Sequence, residues 1–101
     1  MDFQIIKQPS PGVLRMLASR SLVRDFFKDS KFDTIGLVQG KLTEMFAAAD
    51  IAEKASGVNA LEIKGICPQH FTMIAIFGDT AAVTEAMDRI KEQLKKERGG
   101  Q

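Results

Sequence analysis

Residues Phe71 to Phe77 carry apolar side chains on both faces of an extended chain. Phe71, Met73, Ala75 and Phe77 point one way, and Thr72, Ile74 and Ile76 point the other. A strand of this kind is a central one, covered on both sides. The chain must therefore supply neighbours for it and layers above and below it. The run Ala60 to Ile66 is the natural hairpin partner. Gly65 and Pro68 break the pattern between the two arms, and the connection is longer than a two-residue turn. That connection holds the only cysteine and the only histidine, Cys67 and His70. Residues able to ligate a metal or to do redox chemistry thus sit at the tip of the stiffest apolar part of the sequence.

The remaining elements supply the layers. Phe3 to Lys7 is a short strand, ended by Pro9, Pro11 and Gly12. Val13 to Val23 reads as a helix with Val13, Leu14, Leu17, Ala18 and Leu22 on one side, and with Arg15, Arg20 and Arg24 as a charged, solvated face. Residues 24–32 have no clean period and read as a connector. Thr34 to Val38 is a strand closed by Gly40. Leu42, Met45, Phe46, Ala49, Ala52 and Ala55 follow helical spacing to about Ser56, with Gly57 as the stop. This alanine-rich helix allows close approach of a neighbour, either its own sheet or another subunit. Asp79 is placed to cap a last helix with the stripe Val83, Ala86, Met87, Ile90 and Leu94. The order β-α-β-α-β-β-α in 101 residues makes one domain spanning residues 1–101. Its fold class is α/β in the layered, α+β sense: one mainly antiparallel four-stranded sheet with helices packed on it.

Bulk properties exclude several functions. A net charge of +1, from 14 basic and 13 acidic residues, gives no electrostatic footprint for nucleic acid or a membrane surface. One cysteine rules out an internal disulfide and suits a reducing compartment. The start, Met1-Asp2-Phe3-Gln4, lacks the pattern of a signal peptide, and no apolar run is long enough to cross a bilayer. There is no phosphate-cradling glycine loop, no Ser/His/Asp or paired-carboxylate constellation and no H-E-x-x-H, so the chain reads as no enzyme. Cys67 and His70 lie too close on one turn to act as nucleophile and base. They do make a Cys-x-x-His half-site of the kind zinc uses. Read from the residues alone, the alternative is a ferredoxin-like regulatory domain that binds a small molecule, with an inert Cys67.

From Thr34 onward the sequence resembles the bacterial microcompartment shell domain. The resemblance is carried by Ile35-Gly36-Leu37-Val38 with Lys41, by Ala48-Ala49-Asp50 with Lys54-Ala55-Ser56-Gly57-Val58, and by Thr72 to Val83 with the Gly78-Asp79 turn. The family's closing strand, proline-containing turn and helix look to stand in front, at Phe3 to Pro9 and after Pro11. That is a circular permutation, with the new join at residues 24–32. Permuted relatives often add an N-terminal segment that forms a small barrel, for which the first strand at Phe3 leaves no room.

The resemblance implies cyclic homohexamers that tile into a shell in the bacterial cytoplasm, with other shell proteins and encapsulated enzymes as partners. It implies a central pore lined by the loop Gly65, Ile66, Cys67, Pro68 and Gln69, and an edge contact between hexamers at Lys41. That loop is similar to those of the divergent shell proteins of glycyl-radical-enzyme compartments, for which an iron–sulfur cluster at the pore is implied. A ring gathers one cysteine per chain into a circle of thiols, and a [4Fe–4S] cluster takes four. Cys67 is then the metal ligand, Gln69 a rim residue, and the pore a path for small metabolites or for electrons.

Overall fold

The computed structural model describes residues 1–21, 33–55, 57–64 and 71–99. Four strands form one antiparallel sheet in the order β1-β2-β4-β3. They are β1 (Asp2–Lys7), β2 (Thr34–Lys41), β3 (Asn59–Ile63) and β4 (Phe71–Gly78), and the helices are α1 (Pro11–Ser19), α2 (Leu42–Ala55) and α3 (Thr80–Gly99). β4 is indeed central, between β2 and β3, while β1 and β3 are the edges.

The two faces of the sheet carry separate cores. On one, Val38, Ile74 and Ile76 meet Met45, Ala48 and Ala52 of α2 and Val83, Ala86, Met87, Ile90 and Leu94 of α3. The stripe expected for the last helix is buried in full. Gly36 makes this packing close, because a Cβ there would stand 2.8 Å from Met87 Sδ. On the other face, Ile35, Ile63, Ala75 and Phe77 pack against Leu17, with Val13, Leu14 and Ala18 beside it. The period-2 split expected for β4 is thus the division between the two cores.

The helix boundaries follow from their caps. Ser10 Oγ accepts from Val13 N at 3.3 Å and Pro11 takes the first helical position, where its missing N–H costs nothing. Asp79 Oδ1 accepts from Ala82 N at 2.8 Å, the expected cap of α3. α1 is shorter than its periodicity predicts, ending at Ser19. Arg20 N donates to Leu17 O at 3.1 Å, and Arg20 O accepts from Lys64 N at 2.8 Å. The chain leaves the helix there to tie down the end of β3.

β2 runs three residues past Val38, through Gly40 to Lys41. Gly40 does not close the strand; it lets Met1, Glu44 and Met45 approach, each with an atom within 3.2 Å of where a Cβ would stand. Lys41 N then donates to Glu44 Oε1 at 3.3 Å, half of a capping box, so β2 passes into α2 with no loop. The connector expected at 24–32 lies outside the described residues.

Candidate functional site

The described chain converges on one end of the sheet. The last ladder pair of β3 and β4 is Ile63 with Met73. On the other side β4 begins at Phe71, opposite Lys41, the last residue of β2. Thr72 Oγ1 donates across to Glu62 Oε2 at 3.2 Å, and Lys64 N is held by Arg20 O. Both ends of the segment between these strands are therefore fixed, from β2, β4 and α1 together. Gly65, Ile66, Cys67, Pro68 and Gln69, the expected pore lining with its metal ligand, lie outside the described residues, as does His70. Among the described residues no three His, Cys, Asp or Glu side chains converge on a metal position. The chain's single cysteine cannot hold a cluster that takes four thiolates. One copy does not fit an iron–sulfur cluster, whereas several copies around one axis have the donors for it.

Lys41 is exposed and shares this end of the sheet. Its Cα pairs with that of Phe71, a separation of about 5 Å in an antiparallel ladder. The opposite end of β2, at Thr34, is about 24 Å away at the usual rise per residue. Arg15 on α1 and Arg20 just past its end are exposed, as a solvated face requires, and Arg24 lies outside the described residues.

Beside the same end, α2 and β3 enclose an open groove of roughly 110 Å3, lined by Leu42, Met45, Phe46, Ala49, Ala60, Leu61, Glu62, Thr72 and Ile74. Phe46 is 71% exposed and Leu42 44%. Both belong to the apolar stripe read from helical spacing. The buried set is instead Met45, Ala48 and Ala52, and Phe46 stands on the groove's outer lip. The signal for this was the breadth of the apolar arc. Leu42, Met45, Phe46, Ala47, Ala48, Ala49, Ile51 and Ala52 cover more of the helix than one sheet and one neighbouring helix can bury.

Residues 34–101 match the family model described as the BMC domain. The match begins at the first residue of β2, and β1 and α1 lie ahead of it while completing the same sheet, as a circular permutation requires. The chain is similar to the GrpU microcompartment shell protein from Clostridiales bacterium 1_7_47FAA, at 40% identity over 94% of this chain and 93% of that one, with a TM-score of 0.71. It is also similar to the GrpU microcompartment shell protein from Pectobacterium wasabiae, at 35% identity over 89% and 99%, with a TM-score of 0.72. A fused permuted hexameric shell protein from the RMM microcompartment shares the fold at 16% identity, over 93% of this chain and 45% of that one, with a TM-score of 0.69. No curated protein sequence matches the chain. By the family match and by its identity to the two GrpU proteins, the chain belongs to the BMC-domain family of bacterial microcompartment shell proteins, in circularly permuted form.

Proposed function

We propose that this chain is a structural tile of a bacterial microcompartment shell, built from cyclic homohexamers whose central pore is lined by Gly65, Ile66, Cys67, Pro68 and Gln69. The tiles meet other shell proteins at their edges and enclose enzymes in the bacterial cytoplasm. Rotational symmetry turns one thiol per chain into a ring of thiols, and Cys67 of several copies holds one iron–sulfur cluster. When bound, the cluster supplies one-electron transfer across the shell. The protein's own part is to present the thiol: two paired strands, whose ladder ends at Ile63 and Met73, flank the stretch of sequence that holds it. That placement of both strand ends is the observation that supports the reading, together with the 40% identity to a GrpU microcompartment shell protein.

The ladder constrains Lys41 within this proposal. An axial loop puts Lys41, paired with Phe71, beside the axis as well. A contact at the outer rim of the hexamer then falls to residues at the Thr34 end of the sheet, and Lys41 joins the pore's surroundings.

Anaerobic purification with native mass spectrometry and iron and sulfide analysis tests the reading. The expected result is a six-chain ring carrying about four irons per ring, with the iron and its visible absorption lost in Cys67→Ser while the ring persists. A single chain in solution sinks the tile. A colourless wild-type ring prepared from iron-replete cells sinks the cluster and leaves the tile standing.

A further inference from the structure

β3 and β4 are held at their shared end by different parts of the fold. β4 begins at Phe71, paired with Lys41 of β2. The β3–β4 ladder stops at Ile63, and the next backbone N–H, that of Lys64, donates to Arg20 O at 2.8 Å. Arg20 is the C-cap residue of α1. Resting on the ring and cluster of the proposed function, we infer that α1 is a positioning element for Cys67. A latch made of Leu17 and the Arg20 carbonyl fixes the chain at Lys64, three residues ahead of the thiol in the sequence. Closure of that latch and loading of an iron–sulfur cluster then favour each other.

The latch grips one corner of the sheet twice. Leu17 packs in the same core as Ile63, Ala75 and Phe77, and Arg20 O takes the N–H of the residue after Ile63. The turn that aims this carbonyl is itself bonded to the helix. Arg20 N donates to Leu17 O at 3.1 Å and Ser21 N to Ala18 O at 3.3 Å, and Ser21 is buried. Side chain and carbonyl therefore move together with α1.

The two anchors differ in strength. β2 lies between β1 and β4 and supplies Val38 to one core and Ile35 to the other. α1 has nine residues and buries one of them, so it opens at lower free energy than the central strands do. Opening of α1 releases Lys64 and leaves the β2–β4 ladder at Phe71 intact. A cluster bound through Cys67 needs the thiol held in one place, and a released Lys64 no longer supplies that restraint. Opening weakens the cluster's hold, and the cluster opposes opening by the same factor, because coupling between two equilibria is reciprocal.

The test uses rings of the full chain, reconstituted anaerobically with iron and sulfide. In the wild type, hydrogen exchange at Lys64 N is expected to be about 10-fold slower in the loaded ring than in the metal-free ring, a typical size for such coupling. Leu17→Ala is expected to lose iron to a chelator about 10-fold faster with the ring mass unchanged. Leu17→Met, which conserves volume, should bring the rate back to that of the wild type. Equal exchange at Lys64 N in loaded and metal-free wild type overturns the inference, and that comparison needs no variant to fold. Leu17→Ala rings that keep their iron as long as the wild type does overturn it as well, and the cluster reading then stands. Wild-type rings that take up no iron defeat the cluster reading and this inference with it.

Discussion

Thr34 is fully buried, and its hydroxyl shares a 2.6 Å hydrogen bond with that of Thr80. The bond ties the start of β2 to the start of α3. Thr34→Val keeps the shape and removes the bond, leaving the Thr80 hydroxyl without it, and should cost about 1 kcal/mol. A chemical-denaturation midpoint unchanged from wild type would refute that value. Gly36 is the tighter constraint. Alanine there puts a Cβ 2.8 Å from Met87 Sδ and 3.1 Å from Val83 Cγ1, both side chains being buried. Overpacking of this kind costs roughly 1–3 kcal/mol, and the same denaturation series measures it. The sequence displays Gly36 and Thr34 as members of a strand. It does not say what stands over them, because α3 comes more than forty residues later. The turn after β1 shows the same limit at short range. Pro9 and Gly12 mark it in the sequence, yet the residue with left-handed backbone is Gln8, at φ 49°, while Gly12 lies inside α1.

Elements were more legible than residues. All seven were readable from period and punctuation, since each strand or helix repeats its signal over several residues. Their ends were less so, because long-range contacts set them. Lys64 draws α1 to an early close through Arg20, and the loop-free entry to α2 carries β2 past Gly40. The cap of α3 was visible because it is local. Asp79→Ala removes the 2.8 Å bond to Ala82 N and should cost about 1 kcal/mol, while Asp79→Ser should recover most of it. α1 depends on one anchor, as Leu17 is its sole buried residue. Leu17→Ala should cost about 2–5 kcal/mol and free α1 from the sheet. Hydrogen exchange would then show faster exchange at Lys64 N, whose acceptor Arg20 O moves with the helix, and unchanged exchange there would contradict this. Two adjacent apolar stripes fit helical spacing on α2, and the one buried in the chain is Met45, Ala48 and Ala52. Choosing between them requires knowing that α3 packs on one side only.

At the scale of the whole molecule, the permuted order of elements was legible through motifs and is matched by the family span beginning at Thr34. The segment 65–70, which carries the proposed chemistry, was legible as composition alone: a cysteine, a proline and a histidine between two strands. In the proposed ring its meaning depends on other copies of the chain, and the residues of one copy do not display the axis that would relate them. The shell reading makes a further demand here. Rings that tile should form extended flat arrays as protein concentration rises, visible by negative-stain electron microscopy, and protein that stays as dispersed rings at every concentration would argue against it. The pairing of β1 with β2 also fixes an order of events. β1 and α1 leave the ribosome before β2, which is the sole neighbour of β1 in the sheet. The newborn front of the chain must wait, unpaired, for a later segment to dock against, and slowing translation through residues 22–33 would lengthen that wait.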